Sequence, residues 1–226
     1  MAKAPASDSD ARPPRAPLSR DKVIGAAIRV MDTEGLEAVT MRRIGRELGV
    51  EAMSLYNHVE DKGDLLVGML EHLMGGLDLP ADDEDWVGRL REMARSFRRL
   101  LAAHPHALGL FSEHHARPMT DPRALAPIEQ ALSILRSSGL ETDDVIHAYC
   151  LFVGYVIGFT TNELAGFLSH RDDDAPGLAD KLRALPTHEM PTLAAILPRM
   201  AERDVDADFE FGLDVILSGL QQRVGR

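Results

Sequence analysis

The residues best placed to do chemistry lie between Thr40 and Lys62, in the run TMRRIGRELGVEAMSLYNHVEDK. Arg42, Arg43, Arg46 and Lys62 gather positive charge there. Guanidinium and ammonium groups of this kind pair with phosphate oxygens. A charged stripe is also what any solvated helix face carries, and Arg46 is assigned to such a face. The elements beneath the cations decide the matter. Thr40 has the hydroxyl of a helix N-cap. Ile44 and Leu48, at i and i+4, form one narrow apolar stripe on an otherwise charged helix. Gly49 can take the positive φ that ends that helix. A second short helix follows over about Ala52–Asn57, and Asp61 caps a third. Two short helices crossing around a glycine turn make a helix-turn-helix, which lays its second helix in the major groove of DNA.

Other chemistry finds less support. Nine histidines invite a metal reading. His104 and His106 stand at the start of a short predicted helix, and His114 and His115 at its end. No Cys or patterned carboxylate completes a known ligand spacing around them. They are read as surface or pocket histidines, with no metal and no cofactor expected. Cys150 is the single cysteine, so no intrachain disulfide can form, and it is read as a small packed hydrophobe. No strand is predicted to carry a Gly-rich phosphate loop, and no Ser-His-Asp arrangement is evident. The residues argue against an enzyme.

The net charge of −11 at first opposes a nucleic-acid partner. Its distribution removes the objection. Residues 1–62 hold 10 Lys/Arg and 10 Asp/Glu, whereas residues 63–226 hold 15 against 26, so the whole excess belongs to the C-terminal part. No signal peptide is read in residues 1–17, which lack an apolar core. A cytoplasmic location is expected.

The chain order supplies the rest. Residues 1–17 are polar and Pro-rich and are expected to be a disordered tail. A first helix starts at Ser19, with Leu18 and Val23 placed for a hydrophobic staple. It buries Ile24, Ala27, Ile28 and Met31 and ends at Gly35. A helix over about Lys62–Leu77 starts beside the proposed DNA surface and runs into the body. Gly75, Gly76 and Pro80 break it. An acidic linker over residues 81–85 caps the next helix, which carries Trp86, Leu90, Met93, Phe97 and Leu100. Short helices follow over Pro105–His114 and Arg123–Ser137, then the longest over Asp143–Ser169. That long helix is too short between its flanking Asp143, Asp144 and Glu163 to be a membrane span, so no membrane is expected. One face holds the small residues Cys150, Gly154, Gly158, Thr161 and Ala165. The other holds Val145, Tyr149, Phe152, Val156 and Phe159. Two last helices are read near Leu193–Glu202 and Asp206–Gln222. The latter carries Phe209, Leu213, Ile216 and Leu220 at coiled-coil-like spacing.

With Leu55-Tyr56-Asn57-His58-Val59 added to the glycine turn, residues 18–77 resemble the DNA-binding domain of the TetR family of bacterial transcription regulators. Glu210-Phe211-Gly212-Leu213-Asp214 and the long helix more loosely resemble the Tet repressor type of body. The resemblance implies an all-α chain: an N-terminal three-helix helix-turn-helix DNA-binding domain (residues 18–78, with the connecting helix) plus a C-terminal helical ligand-binding and dimerisation domain (residues 79–226). The implied partners are double-stranded operator DNA, a small-molecule effector and a second copy of the chain. By resemblance, Arg42 reaches a base edge, Ala52, Met53 and Ser54 face bases, and Asn57 meets a base or phosphate. Tyr56, His58 and Lys62 hold phosphates, and Thr40 sets its helix N-terminus against the backbone. An aromatic is common where Val59 stands. The drug–magnesium chelate of the Tet repressor type needs two histidines and a threonine, and Gly75 or Gly76, Glu113 and Ala116 stand there instead. Tetracycline binding through that chelate is not expected. An apolar pocket is expected around His104, Leu108, Phe111, Tyr149 and Phe152, and a dimer interface around Gly154, Gly158, Thr161, Phe209, Leu213, Ile216 and Leu220. The expected function is a ligand-responsive repressor on a palindromic operator. The alternative is a helical dimeric interaction protein whose body binds a protein partner, with the helix-turn-helix as a tether.

Overall fold

A computed structural model describes residues 17–81, 85–113, 118–165, 189–200 and 203–224. The expected tail up to residue 16, part of the acidic linker, His114, His115 and Ala116 lie outside the described residues. Among the described residues ten α-helices are formed: α1 (Arg20–Glu34), α2 (Met41–Leu48), α3 (Ala52–Leu55), α4 (Lys62–Met74), α5 (Trp86–Ala103), α6 (Leu108–Glu113), α7 (Pro122–Ser137), α8 (Thr142–Leu164), α9 (Pro191–Met200) and α10 (Val205–Gln221). Short 3-10 turns occupy Leu36–Ala38 and Pro105–Ala107.

Side chains expected to start helices do so. Ser19 Oγ accepts from the Lys22 amide, Thr40 Oγ1 from Arg43, Asp61 Oδ1 from Asp64 and Asp85 Oδ1 from Gly88. Each satisfies an amide that has no partner inside its own helix. Gly49 closes α2 in the left-handed region, at φ 66° and ψ 39°. Some boundaries differ from expectation. α4 stops at Met74, since Gly75 and Gly76 gain nothing from a helical backbone and lose more entropy in it. α8 stops at Leu164, where the Ala165 amide bonds Thr161 O in the closing turn.

Two apolar cores result. The N-terminal core holds Val23, Ile24, Ala27, Ile28 and Met31 of α1 with Val39, Ile44, Leu55, Val59 and, from α4, Leu65, Leu66, Met69 and Leu73. Ala26 and Val30 are buried as well, because α1 is covered by α2 on one side and by α4 and the Pro105–Ala107 turn on others. Ala107 and Leu110 of the body also enter this core. The body core is built from α5, α7, α8 and α10, joined by Leu70 and Met74 of α4. α8 is long and apolar enough by length and composition to cross a membrane. Its Val145, Ala148, Phe152, Val156 and Thr160 are instead buried among α5, α7 and α10.

Arginines of α5 bind the body together. Arg91 reaches Glu210 at 3.0 Å and Asp214 at 2.6 Å, and Arg95 reaches Glu210 at 2.7 Å. Arg98 pairs with Glu163 at 2.8 Å and Asp206 at 2.7 Å. Its guanidinium also lies over the Phe159 and Phe209 rings, 5.5 and 4.8 Å from their centroids.

Candidate nucleic-acid interface and internal cavity

α2 and α3 meet at Gly45. A Cβ placed there would sit 2.9 Å from Val50 O and 3.2 Å from Ala52 N, so only glycine lets the turn fold back this closely. The Val50 amide bonds Gly45 O at 2.9 Å across the same contact. Ile44, Leu55 and Val59 are fully or almost fully buried and anchor the pair from below. Arg42, Met53, Tyr56, Asn57 and Lys62 are exposed, while Ala52, Ser54 and His58 are half-buried. Met53 is 73% exposed, a large apolar side chain with no part in the core.

The basic residues divide by their partners. Arg43 is held by Glu34 at 2.6 Å and Glu47 at 3.0 Å, and the Glu34 hydrogen bond chiefly raises its pKa. It serves the fold. Arg42 and Lys62 make no ion pair with a described residue, so their charge is available to a ligand. Two residues that the sequence did not flag hold the turn after α3. Arg20 donates to His58 O at 3.1 Å and to both Asp64 oxygens at 2.7 Å. Asp64 Oδ2 also accepts from the Glu60 amide at 2.9 Å. The segment carrying Tyr56, Asn57 and His58 is thereby tied to both α1 and α4. A pairing 44 residues apart leaves no periodic signal; only the acidic residue in the first turn of α4 hinted at it.

Inside the body lies a cavity of about 150 Å³. α4 supplies Leu70 and Met74, α5 Met93 and Phe97, and α6 Phe111. Met119 precedes α7, which adds Pro127, Ile128 and Ala131, and α8 adds Tyr149, Phe152 and Val153. Of the five residues expected here, Phe111, Tyr149 and Phe152 line the cavity and His104 and Leu108 do not. α5 ends at Ala103, and His104 turns out toward α1, its Nδ1 3.0 Å from the Asp32 carboxylate. It belongs to the junction between the two cores. Leu108 packs on the body core beside the cavity.

The model for bacterial regulatory proteins of the tetR family matches residues 23–69, and that for the Tetracyclin repressor-like, C-terminal domain matches residues 79–224. The chain belongs to the TetR family. It is 33% identical to the HTH-type transcriptional repressor DrrR1 of Streptomyces coeruleorubidus, across 97% of this chain and 84% of that protein. It is 29% identical to the class A tetracycline repressor protein from transposon 1721 of Escherichia coli, across 91% and 92%. The structure of ActR from Streptomyces coelicolor in complex with actinorhodin superposes with a TM-score of 0.79 at 28% identity, covering 93% of this chain and all of ActR. The chain is thus a DNA-binding transcriptional regulator with the helix-turn-helix at its N-terminus, and its relatives are regulators rather than enzymes.

In this TetR-family chain the small-residue face of α8 is open. Gly154, Gly158 and Thr161 are exposed, and a Cβ at either glycine would meet nothing within 4 Å. The seam expected on the last helix sits differently. Phe209, Leu213 and Leu220 are buried in the chain's own core and Ile216 is half-buried. The heptad-like spacing marked the intramolecular face. α10 turns Phe211, 71% exposed, to the outside beside Gly154 and Gly158, and Val215 on the same helix is 59% exposed. Gly212 is fixed by Tyr155, whose hydroxyl donates to Phe209 O at 2.7 Å and occupies the space a Cβ there would need.

Proposed function

We propose that this regulator is a homodimeric repressor that binds a palindromic operator and is released when a small molecule enters the body cavity. The observation that carries the reading is the position of α4. Leu65, Met69 and Leu73 lie in the N-terminal core, whereas Leu70 and Met74 of the same helix line the cavity. At about 150 Å³ the cavity is below the ~300 Å³ at which drug-sized ligand pockets begin. A larger effector therefore requires its walls, α4 included, to move. Release follows if the effector prefers the moved state, since a ligand shifts an equilibrium only by its differential affinity. That ActR is known with actinorhodin bound and that DrrR1 is a repressor support the reading. The cytoplasm is where such a protein meets DNA.

On the DNA side, the free charge and exposure of Arg42 support its assignment to a base edge. Exposed Tyr56 and Lys62, with His58 on the clamped turn, support assignment to phosphates, which fix register without reading sequence. Thr40, Ala52, Met53, Ser54 and Asn57 complete the surface. The dimer would be formed by α8 and α10 through Gly154, Gly158 and Thr161, with Phe211 and Val215 in place of the buried seam residues. Two-fold symmetry then matches two half-sites. The test is fluorescence anisotropy on an operator identified by genome-wide footprinting, run with and without candidate effectors. Operator binding by a monomer, or binding insensitive to every compound that enters the cavity, would overturn the proposal.

A further inference from the structure

We infer that the effector's buried part is an uncharged aromatic ring system carrying one hydroxyl or carbonyl that hydrogen-bonds the Tyr149 hydroxyl; this rests on reading the body cavity as the effector site. The rings of Phe97 and Phe111 meet edge to face at 5.5 Å, and Phe152 lines the same cavity from α8. Aromatic edges and faces select a flat ring more than a flexible alkyl chain. Met74, Met93 and Met119 supply unbranched, polarisable thioethers that reshape around such a ring and make favourable sulfur–aromatic contacts. The space is comparable with the roughly 150 Å³ apolar cavity known to take benzene, so one or two rings fit before the walls move.

Tyr149 carries the one polar side-chain group among the described lining residues. Its hydroxyl bonds no described residue, and burial raises its pKa, so it stays a protonated donor throughout the neutral range. An ion brought in would lose its hydration with no described lining residue of opposite charge to meet it.

The experiment uses the full chain and three probes on one skeleton: 2-naphthol, naphthalene and 2-naphthalenesulfonate. Dissociation constants are measured by titration calorimetry for the wild type, Tyr149→Phe and the cavity-filling Val153→Trp, with folding checked by circular dichroism. 2-Naphthol is expected to bind best, and 2-naphthalenesulfonate at least about tenfold more weakly. Tyr149→Phe should weaken 2-naphthol about fivefold, to the level of naphthalene, and leave naphthalene unchanged. Val153→Trp should abolish binding of all. If the sulfonate binds as well as 2-naphthol, if Tyr149→Phe weakens both neutral probes alike, or if the wild type binds neither, the ligand class is wrong. If folded Val153→Trp binds the probes as the wild type does, the cavity itself is not the site and the wider reading falls with it.

Discussion

Replacing Gly45 by alanine tests whether the seating of α3 on α2 sets DNA recognition. The new Cβ would stand 2.9 Å from Val50 O, 3.2 Å from Ala52 N and 3.4 Å from Ala52 Cα, all backbone atoms that cannot swing aside. Restoring ordinary contact demands about 0.5 Å of separation at the turn. Overpacking of this kind costs roughly 1–3 kcal/mol, and alanine returns about 1 kcal/mol of helix propensity, leaving a net loss of about 0–2 kcal/mol in stability. The effect on recognition is larger in proportion, because Ala52, Met53 and Ser54 start at the displaced turn. Losing one well-aligned base contact costs ~1–3 kcal/mol, so operator affinity should fall about tenfold or more. Binding to random DNA, set by phosphate charge, should change less than about twofold. The control is Gly25→Ala in α1, where the nearest atom is the flexible end of Arg29 at 3.6 Å. That variant should gain up to ~1 kcal/mol in stability and keep wild-type DNA binding. Anisotropy on operator and scrambled duplexes, with thermal melts, decides it. If Gly45→Ala binds the operator like wild type, the close contact does not fix the recognition helix and the reasoning is refuted.

Arg42→Ala should cost roughly 1–3 kcal/mol on the operator and little on random DNA, with Arg46→Ala nearly silent on both; equal weakening of both DNAs would remove Arg42 from base readout. Lys62→Ala should weaken operator and random DNA alike, with the slope of log affinity against log salt shallower by about one. Gly158→Leu should shift a dimer toward monomer in light scattering at micromolar concentration, since it fills the open face of α8. Arg98→Ala should destabilise the fold by about 2–4 kcal/mol in urea melts, because it breaks the part-buried ion pair with Glu163 and uncovers two rings. Glu210 is held below the usual glutamate pKa, chiefly by its hydrogen bond from Arg95. Its stabilising contribution is therefore present above the ordinary glutamate range and lost as pH falls through the depressed value. Glu210→Gln should lose stability at pH 7 and match wild type in strong acid.

What the sequence made legible was what neighbours in the chain decide. Ser19, Thr40, Asp61 and Asp85 cap their helices because a side chain three residues away is enough. Ile44, Leu55 and Val59 are core because their spacing leaves no other face. What it hid was set by partners far along the chain. The spacing of Phe209, Leu213 and Leu220 marks a buried stripe but cannot say whether the chain itself or a second copy buries it. Here the chain does. His104 looked like a pocket residue from its position before Phe111, yet its partner is Asp32 on α1, 72 residues away. Gly45 carries no signal of its own in the sequence, since nothing local announces that a backbone carbonyl lies where its Cβ would be.

These long-range contacts also explain how a signal could leave the body. α4 spans 13 residues, about 20 Å at ~1.5 Å per residue, with Met74 on the cavity and Lys62 at the proposed DNA surface. Its middle is packed into the N-terminal core, so displacing the Met74 end tilts the helix instead of bending it. A shift of about 1 Å at one end then appears as a comparable shift at the other. Glu71 makes the coupling two-sided: its Oε1 accepts from the Thr120 and Asp121 amides at 2.7 and 2.9 Å, just before α7. Any compound that parts α7 from α5 therefore pulls on α4 as well as pushing against Leu70 and Met74. In a dimer the two readers must stay one helical turn of DNA apart, about 34 Å, to meet both half-sites. On the proposed reading, a tilt too small to unfold either reader would be enough to put their phosphate contacts out of step, so that an effector confined to the body governs an operator it never touches.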